Sequence, residues 1–460
     1  MKLNYNEFLE KKLLTIPDSG IKNIGTIHPI LFEFQKDIVR WSLKKGKSAI
    51  FSMTGTGKTL MQCEWARHVF NETNGNILIF APLAVSHQTV REAKKLDLRI
   101  TYCKSQEDVK KGINITNYER LNKFNSNNFT GIVLDESSIL KSLTGKTKDI
   151  LIEKFLKTPF KLACTATPAP NDFMELGNHS EFLNILSYSE MLSMFFVHDG
   201  GDTARWRLKK HAMESYWNWI ANWAVVLTKP SDLNYNDEGF TLPPLNIEHI
   251  KVKSNHKPKK GYLFALPAET LRERQKSRIE SIDEKIIECK KIVEQSDETC
   301  LIWCNYNTES DKLKKYIKNS TEIRGSHDLD YKEKTMLGFS TGKIKILITK
   351  PSIAGFGMNW QHCSKIIFFG LSDSFEQYFQ AVRRCWRFGQ KKPVDVYIIT
   401  SELESNVIKN INRKESNAKQ LLTEMVERTR NTVINNLHSN SWNRSKYEPN
   451  KEMEIPKWLK

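Results

Sequence analysis

A chain of 460 residues exceeds what one hydrophobic core ordinarily fills, so two or three domains are expected. Hydrophobic residues at 39% and charged residues at 27% exclude a disordered chain and fit a globular one. Seventy Lys and Arg against 53 Asp and Glu leave +17, which favours nucleic acid or an acidic membrane surface as partner and says nothing of the fold.

Apolar runs of strand length recur at 48–53, 77–80, 131–134 and 161–164, then at 300–304, 344–349, 366–369 and 394–399. Helically spaced stretches separate most of them. Continuous Ile/Val/Leu runs alternating with helices predict an α/β fold of parallel sheets covered on both faces, with ligands beyond the carboxyl ends of the strands. The two groups divide the chain into an N-terminal segment (1–24), a first domain (25–245), a second domain (246–400) and a C-terminal tail (401–460) that begins as a helix. Within the first domain, 171–240 reads as a helical insertion and holds Trp206, Trp217, Trp219 and Trp223. Tyr216, Trp219, Ile220, Trp223 and Leu227 recur at helical spacing, either as a buried face or as a platform for stacking bases. Pro243–Pro244 marks a linker. Residues 269–293 read as one amphipathic helix with Leu271, Ile279, Ile282, Ile286, Cys289 and Val293 on one side. Its Arg272, Arg274, Lys276 and Arg278 either contact phosphates or form a solvated face.

No apolar run reaches the about 18 residues of a membrane span, and Asn and Glu interrupt the opening MKLNYNEFLEKKLL where an export signal needs an apolar core. Eight cysteines (63, 103, 164, 289, 300, 304, 363, 385) form no C-x-x-C pair, which speaks against a disulfide framework or zinc site and for a cytoplasmic setting.

After the first apolar run comes Thr54-Gly55-Thr56-Gly57-Lys58-Thr59 and then a helical stretch, the strand–loop–helix setting of a phosphate-binding loop. Glycines let backbone N–H groups approach phosphates, Lys58 reaches the β and γ oxygens of ATP, and Thr59 holds magnesium. Ser52 stands where the eight-residue pattern begins with glycine. Asp135 and Glu136 end an apolar strand in GIVLDESS; Asp135 suits the magnesium shell and Glu136 the attacking water. Arg384 and Arg387, three apart and predicted on one helical face, suit a phosphate cluster as arginine fingers presented by the second domain.

Together these residues resemble the superfamily 2 helicase-type ATPases of the Snf2-like branch, over roughly residues 25–400. That resemblance implies two tandem RecA-like domains, ATP and Mg2+ as nucleotide and metal, and DNA as partner. By the same likeness Gln35 reads adenine, and Pro82 in Ala81-Pro82-Leu83, with Thr116 and Asn117 in Ile115–Arg120, holds nucleic acid. Thr165–Pro168 with Asn171 is similar to motif III, and Leu301–Cys304 to motif IV. Ala354–Asn359 resembles motif V, assigning Gly355 to the nucleotide and Asn359 and Gln361 to the nucleic acid. Gln380–Gln390 matches the Q-A-x-x-R-x-x-R-x-G-Q form of motif VI, which sets the Snf2-like branch apart from DEAD-box RNA helicases and puts Gln380 at the nucleotide. The tryptophan-rich insertion and KPSIAGFGMNWQHC look most like helicases encoded by bacteriophages and prophages. Ser138 replaces a frequent His, and Ala166 a usual Gly. Trp360 either stacks on a base or packs beside a strand; His362 and Cys363 read as structural.

The leading expectation is an ATP-driven translocase on duplex DNA. Its rivals are a strand-separating or branch-migrating helicase on forked DNA and a module that keeps ATP as a structural ligand. Residues 1–245 carry +5 and residues 246–460 carry +12, which assigns the grip on nucleic acid without ATP to the second half.

Overall fold

The computed structural model describes residues 16–141, 145–169, 172–199, 202–253, 278–355 and 358–438. Two parallel sheets dominate. The first has seven strands in the order β3-β4-β2-β5-β6-β1-β9: β1 Lys47–Ser52, β2 Ile77–Ala81, β3 Ile100–Tyr102, β4 Ile113–Asn117, β5 Gly131–Asp135, β6 Phe160–Thr165 and β9 Ala224–Leu227. Along each strand successive residues enter opposite cores. Ala49, Phe51, Phe80 and Leu134 face one side, Ile50, Ile79 and Val133 the other. Burial on both faces is why these strands read as unbroken apolar runs.

The second sheet has six strands in the order β10-β15-β14-β11-β13-β12, all parallel: β10 Leu245–Val252, β11 Cys300–Trp303, β12 Ser320–Glu322, β13 Ile346–Thr349, β14 Lys365–Phe369 and β15 Val394–Ser401. It too lies between two cores. The two tandem α/β domains expected from the sequence are present, and β10 follows directly on Pro243–Pro244.

The insertion is not all helix. It holds the helices Leu176–Phe182, Tyr188–Phe195 and Met213–Ala221, but also an antiparallel hairpin, β7 Phe196–Asp199 with β8 Asp202–Leu208. β9 then joins the first sheet beside β1. Leu227, expected on a helical face, therefore lies on a strand. Tyr216, Trp219, Ile220 and Trp223 are buried in the first core, Tyr216 and Trp219 against Phe195. They pack and offer no platform to a base.

The helix expected over 269–293 is described as Ile282–Glu294, and Leu271, Arg272, Arg274 and Lys276 lie outside the described residues. Ile279 is exposed rather than on the apolar side. Arg278 contacts no phosphate-facing surface. Its buried guanidinium donates to Glu309 (3.0 Å) and to the carbonyls of Leu371 (2.7 Å) and Phe369 (3.0 Å). A buried arginine needs such partners to offset its lost hydration.

The tail forms a 34-residue helix, Ser405–His438. Val407 and Ile411 enter the second domain's core, whereas Met425, Val426 and Val433 enter the cores of the first. Between them 412–420 is largely exposed, though Lys414 donates to the Asp373 carbonyl at 2.9 Å and Ala418 packs on the second domain's core. The helix packs along β9 and so covers that edge of the first sheet.

Candidate active site between the two sheets

The carboxyl end of β1 runs into the glycine-rich loop. Gly55 and Gly57 take left-handed φ values of +95° and +88°, which glycine adopts without a Cβ penalty. A Cβ at Gly57 would sit 2.2 Å from Gln35 Nε2, and one at Gly55 3.0 Å from the backbone nitrogen of Phe388 in the second domain. Gln35 thus lies against the loop. Its amide donates to the Thr56 carbonyl at 2.8 Å and accepts from Phe32 N at 3.0 Å. Ser52 takes a supporting part where glycine was expected, its hydroxyl 2.8 Å from that of Thr56. Lys58 is buried and donates to the carbonyls of Ser52 (2.6 Å) and Met53 (3.1 Å). Burial lowers its pKa, opposed by Glu136 and Asp135. Thr59 is half-buried in the first turn of the helix Lys58–Thr73.

β5 delivers the two acids. Burial raises the pKa of Asp135, with Lys58 among the groups opposing the shift. Glu136 adopts φ +57°, a strained position for a side-chain-bearing residue. Its carboxyl is pushed up to about 7, chiefly by burial, with Lys58 and Arg384 opposing and Asp135 and Glu376 adding.

From the second domain come Gln380, Arg384 and Arg387. The helix Phe375–Val382 ends before the arginines, which lie in the turn after it rather than on a helical face. The Met358 carbonyl gathers them, accepting from Arg384 at 3.2 Å and Arg387 at 3.3 Å. Gln380 positions Arg384 through its backbone and side-chain oxygens, each at 2.9 Å. Arg383 instead stacks on Trp386, 4.3 Å from the ring centre.

Four buried polar atoms around this junction lack a hydrogen-bond partner: Thr54 Oγ1, Glu136 Oε2, Gln380 Nε2 and Arg387 Nε. Unsatisfied buried groups are costly and rare. Together with a loop whose glycines leave no room for a Cβ, they fit a polyphosphate and its metal, with Thr59 and Asp135 as the residues that would hold the ion. Gly355 closes the short helix Pro351–Ala354, against the Pro351 carbonyl, and is not drawn into this cluster.

Beside Glu136 opens a cavity of about 700 Å³ between the domains. Among the residues expected to hold nucleic acid, only Pro82 lines it. Thr116 is fully buried, its hydroxyl spent on the Cys103 carbonyl at 2.9 Å. Asn117 and Asn359 each keep a buried Oδ1 without a partner. Gln361 packs against Gly389 in the motif VI turn. Trp360 is buried between Trp303 and Phe339, a packing position.

The cavity walls differ in charge. Arg91, Lys104, Arg120 and Lys141 line the first-domain side with His87, Glu119 and Glu136, while Asp330, Glu333 and Glu376 line the other with Lys332. The basic wall thus belongs to the first domain, against the expectation from whole-domain charge. Sequence reasoning also missed His179 of the insertion, 3.1 Å from Ser137 beside the acid pair and kept neutral by burial, which lowers its pKa to about 4.

Two families match the chain: type III restriction enzyme, res subunit, over residues 27–170, and helicase conserved C-terminal domain over residues 284–389. The ATP-dependent RNA helicase FAL1 of Eremothecium gossypii is 31% identical over 121 residues, 25% of this chain and 30% of that protein. FAL1 of Kluyveromyces lactis is 27% identical over 107 residues, 22% of this chain and 26% of that protein. The match therefore spans less than a third of each relative's length. A solved structure of the Sulfolobus solfataricus SWI2/SNF2 ATPase core in complex with dsDNA aligns over 90% of this chain and 98% of that chain, with 19% identity and a TM-score of 0.41.

Proposed function

The chain belongs to the superfamily 2 helicase-type ATPases, and from that premise we propose that it hydrolyses ATP to move along duplex DNA. The observation carrying this reading is the junction itself: Lys58, Asp135 and Glu136 from one sheet and Arg384 and Arg387 from the other, beside a cavity walled by both domains. ATP between the domains would be touched by both, so its binding and loss would close and open the cleft.

In this mechanism the loop N–H groups and Lys58 orient the phosphates of ATP. Thr59 and Asp135 would hold magnesium, which when bound would supply charge neutralisation for the phosphates. Glu136, with a pKa of about 7, is poised near neutral pH to accept a proton from the attacking water. Arg387 has one long bond, to the Met358 carbonyl, and an Nε without a partner, which leaves it donors for the γ-phosphate. Arg384 already has three acceptors and holds the turn that aims Arg387.

The motif VI pattern supports the Snf2-like branch and, through it, duplex DNA. A second reading, strand separation on RNA, is favoured by the two curated relatives, both named RNA helicases. ATPase assays with blunt duplex, single-stranded and forked DNA and with RNA, across a salt series, decide between them. Translocation on duplex DNA predicts strongest stimulation by blunt duplex, weakening steeply with salt. Dependence on RNA, single strands or forks would sink it.

A further inference from the structure

Two acids of the second domain reach across the cavity to donors of the first. Glu376 Oε1 accepts from Ser138 Oγ at 3.0 Å while its other oxygen pairs with Lys141. Glu333 lies 3.9 Å from His87. Ser138 and Lys141 belong to the turn Ser137–Lys141, which follows directly on Glu136. Glu376 sits in the first turn of the helix whose far end carries Gln380.

A hydroxyl and an ammonium converging on two carboxylate oxygens make a donor set that suits a phosphodiester equally well, since both ligands present two oxygens sharing one negative charge. The pair is not sealed. Lys141 and Glu376 are 33% and 17% exposed in the cavity, whereas the structural pair Lys285–Glu404 in the second domain is 0% and 1% exposed. A permanent lock resembles the second case; a contact meant to be exchanged resembles the first.

We propose that Ser138 and Lys141 form the seat of one backbone phosphate of nucleic acid, and that Glu376 occupies the seat in its absence. The inference rests on the reading above that this cleft takes nucleic acid. A phosphate entering the seat displaces the Glu376 carboxylate from the turn that follows Glu136 and so releases the helix leading to Gln380 and Arg384 from that turn. It also changes the field at the neighbouring Glu136. Nucleic acid thereby reaches the hydrolytic centre through three side chains, and Ser138 takes part directly.

The test uses the full chain, a blunt DNA duplex as probe, binding by fluorescence anisotropy and steady-state ATP turnover with and without the duplex. Glu376→Gln keeps the side chain's shape and removes the competing charge. The expected result is duplex affinity raised about tenfold, the scale of one charge-assisted hydrogen bond. Turnover without DNA rises, and the stimulation ratio shrinks. Lys141→Gln is expected to weaken binding and to lower the slope of log affinity against log salt by about 0.9, one phosphate contact. The double variant should bind like Lys141→Gln alone. Unchanged affinity or unchanged DNA-free turnover in Glu376→Gln overturns the proposal, as does a wild-type salt slope in Lys141→Gln. Wild-type turnover that no nucleic acid stimulates would instead refute the functional reading, before any variant is compared.

Discussion

Glu136 is held in a place that disfavours its ionised form, so removing its charge should stabilise the protein while silencing it. Burial lifts its pKa from 4.5 to about 7. The folded state therefore keeps a proton that the unfolded chain releases between pH 4.5 and 7. Stability falls as pH rises through that window, and the loss is complete above it. A shift of this size corresponds to ~3 kcal/mol. In Glu136→Gln the loss disappears. At pH 8 the nucleotide-free variant should be more stable than wild type by about that amount, and the gain should shrink toward zero near the unfolded carboxyl's pKa. Urea unfolding of both proteins at pH 8 and pH 5 measures it. A variant no more stable than wild type at pH 8, or equally advantaged at both pH values, would refute the reasoning. The same variant should retain ATP binding and almost entirely lose hydrolysis, which separates an ATP-hydrolysing enzyme from a module that keeps ATP as a structural ligand.

Since Glu136 must be ionised to accept a proton, kcat/KM for ATP should fall as pH is lowered through about 7, and a flat profile between pH ~6 and ~8 would contradict its role. Arg387→Ala should lower kcat by roughly 10³-fold or more with nucleotide binding retained, measured by steady-state turnover and equilibrium binding. Arg384→Ala should in addition destabilise the second domain, because both oxygens of Gln380 lose the Arg384 donor and the Met358 carbonyl keeps only Arg387. Gly57→Ala combines φ +88° with a Cβ 2.2 Å from Gln35 Nε2, so it should push Gln35 off the Thr56 carbonyl and weaken ATP binding about tenfold or more by calorimetry.

The eight strands read from the sequence are those buried on both faces, where apolar residues dominate and polar ones such as Ser48, Lys161 and Lys365 sit at the strand starts. The strands that escaped have local reasons. β3 and β12 are three-residue edge strands. β10 is an edge strand with mostly exposed positions, so its sequence alternates little toward a core. β4, INITN, hides its strand character behind Asn114, whose amide is satisfied internally by Lys110 and Gly112. β9 follows a tryptophan-rich helix so closely that helical spacing runs through it. Ile279 shows the converse failure, an apolar residue in register that ends exposed. The nucleotide site was legible because backbone approach, a lysine and strand-end acids are local demands that fix residue types over short spans. Glu376 left no such mark. Its partners lie 235 and 238 residues away, and its meaning comes only from the sheets being brought face to face.

The helix Ser405–His438 contains neither glycine nor proline, and kinks usually arise at such residues. It has no built-in joint, yet it is rooted in both domains. Rotation of one domain against the other must therefore be taken up by elastic bending between Ala418, packed on the second core, and Leu422, packed on the first, or by peeling at one root. Any movement between the two halves is bounded by this shared helix, which is rooted in the cores of both.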